Sequence, residues 1–140
     1  IKFTSSNLME YQLCRASHDG AFDIPFGFDE MMLAALALGA TGAVGSSFNF
    51  AAPIYTRLMA AFEAGDLTTA REQQMRSVCV IQKLAARGYM SAAKAVMKML
   101  GVDVGPARLP HAALDAAQTK ALHSELEQLG FFEWVKPGTV

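Results

Sequence analysis

The sequence predicts an α/β fold whose second half is all helical, on three observations. Short apolar runs at 1–4, 22–26 and 41–45 are each followed by a helix-like pattern, giving the order strand, helix, strand, helix, strand, helix. Past Gly65 every periodic segment has helical spacing. The 140 residues are 52% hydrophobic and 18% charged, enough apolar material for one buried core and too much for a disordered chain. Strand–helix alternation marks a parallel sheet with right-handed crossovers. Three strands alone cannot cover both faces of such a sheet, so the later helices are expected to do so.

The elements follow in order. In Ile1-Lys2-Phe3-Thr4, alternation puts Ile1 and Phe3 on one face and Lys2 and Thr4 on the other. Asn7 with Glu10 three residues on resembles a capping box, and Leu8, Tyr11 and Cys14 carry an apolar stripe to about Ser17. The run 22–26 is interrupted by Asp23 and Pro25. Asp29 and Glu30 then open an apolar helix that ends before Gly39, and their simplest role is to cap it. The small apolar strand 41–45 yields to a polar turn at Ser46, with a helix expected over about 53–64. Close packing of helix on strand is the expected reason for Gly39, Gly42 and Gly45. Asp66 caps a segment with Leu67, Ala70, Val78, Ile81 and Ala85 at helical spacing, stopped by Gly88. A further helix spans about 91–100. The two prolines of 105–110 demand an extended connector. Asp115 with Gln118 starts a last helix carrying Ala121, Leu122, Leu126 and Leu129 before Gly130.

Charge and composition exclude several classes of function. A formal charge of −1 without any run of like charges gives no field to attract nucleic acid or anionic lipid, so neither partner is expected. Residues 31–56 carry no charge, yet Gly39, Gly42, Gly45, Ser46, Ser47, Asn49 and Pro53 break them into pieces too short to span a membrane. Cys14 and Cys79 lack metal-type spacing and are expected to be free thiols in a reducing, cytoplasmic compartment, in keeping with the absence of a secretory signal pattern. His18, His111 and His123 are scattered, and no metal is expected. The glycines of 39–45 lack the Lys-Ser/Thr ending of a phosphate loop. The methionines are expected to fill core or interface gaps.

Three strand ends deliver polar groups: Lys2 and Thr4, then Gly27, Asp29 and Glu30, then Ser46, Ser47 and Asn49. In parallel α/β folds a site forms at the carboxyl ends of the strands, where these groups would converge. A lysine held on a strand and partly buried has a lowered pKa, and its neutral amine can add to a ketone to give an iminium.

The segments Ile1-Lys2-Phe3-Thr4, Phe26-Gly27-Phe28-Asp29-Glu30-Met31 and Gly42-Ala43-Val44-Gly45-Ser46-Ser47-Phe48-Asn49, in that order and spacing, resemble the N-acetylneuraminate lyase branch of the pyruvate-dependent class I aldolases, a group that includes dihydrodipicolinate synthase. The resemblance runs over essentially the whole chain. It implies strands six to eight of a (β/α)8 TIM barrel plus extra carboxyl-terminal helices, with residues 1–65 as the last three strand–helix units and 66–140 as the helical extension of the same domain. It also implies roles: Lys2 as the catalytic lysine that forms a Schiff base with pyruvate, Thr4 as a ligand contact, and Gly27, Asp29, Glu30 and Ser46 as the residues that hold the sugar portion. Glu30 favours the lyase branch over the synthase branch. No cofactor beyond the covalent Schiff base is implied.

The expected reaction is cleavage of N-acetylneuraminate to pyruvate and N-acetylmannosamine, so the partners are a small keto acid and an amino sugar. The proton-relay tyrosine and the hydroxyl pair for the pyruvate carboxylate belong to earlier strands, outside this sequence. Tyr11, Tyr55 and Tyr89 sit in helical contexts and are not assigned that role. Activity is accordingly expected only with the amino-terminal half of the barrel, in a homotetramer. Two alternatives stay open: another pyruvate aldolase or a synthase-type condensing enzyme sharing Lys2, and a noncatalytic helical association module.

Overall fold

The computed structural model describes residues 1–136; the last four positions of the expected helical extension, 137–140, lie outside the described residues. Seven α-helices are formed among them: α1 Leu8–Ala16, α2 Met32–Ala37, α3 Phe48–Glu63, α4 Leu67–Ala85, α5 Tyr89–Met99, α6 Ala116–Leu129 and the single turn α7 Phe131–Trp134. The chain between α5 and α6 has no regular secondary structure, but it is not the extended connector expected: Gly105 has φ 71° and a turn at 108–111 is closed by His111 N–H to Arg108 O at 3.1 Å.

The three predicted strands lie side by side and parallel, but each is reduced to a single bridging residue. Phe3 pairs with Phe26, and Phe26 with Ala43. The hydrogen bonds are those of a parallel ladder cut to its central rung: Phe3 N–H to Pro25 O at 3.0 Å, Gly27 N–H to Phe3 O at 2.7 Å, Phe26 N–H to Gly42 O at 3.1 Å and Val44 N–H to Phe26 O at 2.9 Å. Pro25 has no N–H to give, and Gly27, Gly42 and Gly45 have no side chains to pack, so pairing does not extend. Strand order and direction thus agree with expectation while regular strands are absent among the described residues. Ile1 is 77% exposed and does not share the buried face with Phe3.

Two cores flank α2. Tyr11, Ile24, Phe26, Ala35 and Ala40 form the smaller, with Phe3 packed against it. Its rings interlock, Tyr11 with Phe3 and with Phe26 at 5.1 Å each, and the Tyr11 hydroxyl donates to Ile24 O at 2.8 Å. The larger core joins α2 to α3–α7 through residues such as Leu58, Leu84, Val96, Leu122, Leu126 and Phe131. Because Ala35 faces one core and Met32 and Leu36 face the other, α2 ties the bridge layer to the helical layer.

The starts of α1, α4 and α6 follow the sequence signals, α2 lacks the cap expected from Asp29 and Glu30, and α3 is an exception in position. The Asn7 and Asp66 side chains accept from Glu10 N–H and Thr69 N–H, and Asp115 with Gln118 closes a full capping box ended by Gly130 at φ 83°. The exception is α3, which begins at Phe48 instead of about 53. Its first turn is set off by a kink at Ala51 (φ −131°), so Pro53 still lies in the first turn of the regular run, where a missing N–H costs nothing. On α4 the buried face is Ala70, Gln73, Ser77, Val80 and Leu84, so of the predicted Leu67, Ala70, Val78, Ile81 and Ala85 only Ala70 lies on it. The expectation failed because Gln73 and Ser77, polar by type, are buried with partners.

Candidate active site

Lys2 and Thr4 flank the bare backbone of Gly27. A methyl group built on Gly27 would lie 2.0 Å from Thr4 Oγ1, 2.7 Å from Lys2 Cε and 2.9 Å from Phe3 O, so only glycine lets the first segment's two polar side chains cross the second. Alternation therefore placed Lys2 and Thr4 on one face correctly. The burial expected of Lys2 is not found: Lys2 and Thr4 are both exposed.

Two residues beyond Gly27, Asp29 turns inward and is only 5% exposed. It does not cap its own short 3-10 turn, Asp29–Met31, which has no side-chain cap. Instead its Oδ2 accepts from Ser47 N–H at 2.9 Å and from the Ser47 hydroxyl, at the head of α3. A carboxylate suits the positive end of that helix dipole. Gly45 makes room for it: a methyl there would sit 1.4 Å from Asp29 Oδ1. The glycines do not share one purpose. Gly45 houses a carboxylate, Gly39 (φ 87°) backs on to the Arg15 guanidinium, and Gly42 has open space around it, which replaces the expectation of uniform helix-on-strand packing.

The Ser46-Ser47 turn is pinned by two tyrosines that sequence reasoning set aside. The Ser46 hydroxyl donates to Tyr89 Oη at 2.8 Å, and Ser47 Oγ lies 2.5 Å from Tyr55 Oη, which is in turn 2.8 Å from Ser77 Oγ. Burial pushes the Tyr55 phenol well above its ordinary range, its bonds to Ser47 and Ser77 pull the other way, and the Asp29 charge adds to the rise. Tyr89 is raised by burial first; its bond from Ser46 opposes that, and the charges of Asp29 and Glu30 add to it. Both phenols hold their protons at neutral pH. Gln74 on α4 clamps the loop from behind, accepting from Leu33 N–H at 2.8 Å and donating to Asp29 O at 3.2 Å.

The structure thus brings Lys2, Thr4 and Gly27 together, and Asp29, Ser46 and Ser47 together, with the short loop 27–29 joining the two groups. Glu30 is half-buried and borders a separate cavity of about 430 Å³ with Met31, Leu33, Phe62 and Arg71. Its link to the site is its charge on Tyr89. A groove of about 800 Å³ between α5, α6 and their connector, bordered by Lys94, Lys98, Lys120 and His123, holds none of these residues.

This arrangement of lysine, loop and serine turn lies within a region that matches a known family: the pattern of the Dihydrodipicolinate synthetase family fits residues 1–129. The chain belongs to that family. The family member is similar to the N-acetylneuraminate lyase of Rattus norvegicus, with 34% identity over 145 residues, all of this chain and 45% of the relative. Among solved structures it is similar to Proteus mirabilis N-acetylneuraminate lyase, at 37% identity and a TM-score of 0.88, covering 93% of this chain and 44% of that one. It is also similar to N-acetylneuraminate lyase from Fusobacterium nucleatum complexed with pyruvate, at 25% identity and a TM-score of 0.82, covering 91% and 43%. The resemblance read from the three motifs is borne out, and the chain spans less than half the length of these relatives. Among the described residues no cluster of three or more His, Cys, Asp or Glu could hold a metal ion, and no helix is long and apolar enough to cross a membrane.

Proposed function

We propose that this chain is the carboxyl-terminal part of a Schiff-base aldolase that cleaves N-acetylneuraminate to pyruvate and N-acetylmannosamine. Residues 1–65 would contribute the last three strand–helix units of a (β/α)8 barrel and 66–140 its helical extension, with the amino-terminal half completing the barrel. The observation that carries the reading is the placement of Lys2 and Thr4 across Gly27, one short loop away from the buried Asp29–Ser47 pair, in a chain similar along its length to N-acetylneuraminate lyases.

The chemistry follows from the residues. The Lys2 amine adds to the substrate's keto carbon, and loss of water leaves a protonated iminium. A base takes the proton of the C4 hydroxyl, the C3–C4 bond breaks, and its electron pair is drawn into the iminium as an enamine while the aldehyde leaves. Protonation of the enamine at carbon and hydrolysis of the iminium release pyruvate and restore Lys2. The amino-terminal half would supply the tyrosine that relays the proton and the hydroxyls that hold the keto-acid carboxylate. Its presence would also cover the face on which Lys2 is now exposed, giving the desolvation that makes the amine nucleophilic. Thr4, Gly27, Asp29, Glu30 and Ser46 would hold the substrate, since a polyol needs the acceptors that carboxylates, hydroxyls and backbone carbonyls offer. The complete enzyme would be a cytoplasmic homotetramer with no cofactor other than its own lysine adduct.

A full-length polypeptide carrying this chain should cleave N-acetylneuraminate in preference to 2-keto-3-deoxygluconate, and Lys2→Arg should reduce both to background. Preference for the shorter sugar acid, or activity only in condensing pyruvate with an aldehyde of the synthase type, would assign it to a sister activity of the family. Undiminished cleavage by Lys2→Arg would overturn the reading.

A further inference from the structure

We propose that Tyr55 and Ser77 are positioning residues for Asp29, forming a buried hydrogen-bonded chain from the helical extension that fixes the sugar-binding carboxylate; this rests on the aldolase reading above. The chain runs Ser77 Oγ, Tyr55 Oη, Ser47 Oγ, Asp29 Oδ2, with separations of 2.8 Å and 2.5 Å before the final contact. Its direction is fixed by chemistry. An ionised carboxylate only accepts, so the Ser47 hydroxyl donates to Asp29 and must itself accept from Tyr55. Tyr55 has then used its proton and accepts from Ser77. Every proton points toward Asp29, which increases the polarity of each bond along the way.

Three further observations make the chain a device for placement. Asp29, Ser47 and Ser77 are each 5% exposed or less and Tyr55 4%, so water does not compete for these bonds. The Tyr55 ring packs edge-on against Phe48 with centroids 4.4 Å apart, a contact that helps hold the ring in place. Both Ser47 bonds fall on Oδ2, and Oδ1 rests against the bare Gly45 backbone as the oxygen left to accept from a substrate hydroxyl. The surrounding core, with Leu58, Val80 and Leu84 buried beside these groups, packs by apolar contact and has no need of hydroxyls.

The test uses the full-length barrel carrying this chain, assayed in the direction of condensation, with borohydride trapping of pyruvate run in parallel. Tyr55→Phe keeps the ring and removes the donor to Ser47. The KM for N-acetylmannosamine should rise about five- to tenfold, and about twofold for Ser77→Ala, while the KM for pyruvate and the trapped fraction stay unchanged. The double variant should be no worse than Tyr55→Phe, since Ser77 acts only through the phenol, and Ser77→Thr should behave as the unsubstituted protein. An unchanged sugar KM, equal rises for both substrates, or additive effects in the double variant would overturn the proposal. If Tyr55→Phe does not fold, Ser77→Ala against Ser77→Thr decides: a rise with alanine alone supports the chain, and equal values overturn it. Loss of pyruvate trapping in the unsubstituted protein would instead bring down the aldolase reading, and this proposal with it.

Discussion

Gly45 and Asp29 share a space that holds one of a methyl group and a carboxylate. A methyl 1.4 Å from Asp29 Oδ1 cannot be absorbed by small shifts, so Gly45→Ala must expel the carboxylate from the head of α3 and strand the Ser47 donors. We expect a loss of about 1–3 kcal/mol of stability, read by chemical denaturation, whereas Gly42→Ala, with nothing within 4 Å, should be nearly neutral. Equal effects of the two substitutions would contradict this account of the turn. At this scale the sequence revealed those residues whose placement depends on local geometry: Lys2 and Thr4 share a face because strand side chains alternate, and Asp29 lies two residues beyond Gly27 in the chain. Ser47 was legible as a polar group at a strand end but not as the partner of Asp29, and Tyr55, Ser77 and Tyr89 were not legible at all. Tyr55 meets a serine 22 positions away and Tyr89 one 43 positions away, contacts that no spacing rule encodes. The one available signal was a serine amid the apolar residues of α4, and an exposed helix position explains such a serine equally well.

Among the helices, those with strong end signals were predicted closely. Asp115, Gln118 and Gly130 bound α6 because each satisfies a backbone group that helix geometry leaves unpaired. The inner face of α4 was legible only at Ala70, since apolar residues occur all around this helix and its buried positions include Gln73 and Ser77. Helix α6 is also joined by charge to the end of α4 and the turn after it: Glu125 pairs with Lys83 of α4 at 3.3 Å and with Arg87 of the turn at 2.5 Å. The hydrogen bond from Arg87, then that from Lys83, holds the Glu125 carboxyl below the ordinary carboxylate range. A lowered folded-state pKa contributes stability that is fully present above the unfolded value of about 4.3 and disappears as pH falls through the folded value. Thermal unfolding of Glu125→Gln should therefore lie below that of the unsubstituted protein at pH 7, the two converging as pH drops below about 4. A gap that stays constant down to pH 3 would show that the ion pairs do not link these helices.

The described residues form a thin parallel layer and a thick helical one, joined by α2, which puts Met32, Leu33 and Leu36 against the larger core and Ala35 in the smaller. Order and direction of the layer were legible because strand–helix alternation allows little else. Strand length was not, since Pro25 and the glycines that serve the site also stop the ladder. Lys2 lies exposed in this layer, and under the proposed function a further part of a barrel would enclose it. The central claim is that Lys2 is the covalent centre of that enclosure. It is tested most directly by incubating the full-length polypeptide carrying this chain with pyruvate, reducing with borohydride and mapping the adduct by peptide mass. The account predicts one reduced pyruvate on the peptide containing Lys2 and none in Lys2→Arg; an unmodified Lys2, or an adduct confined to other lysines such as Lys94 or Lys120, would contradict it.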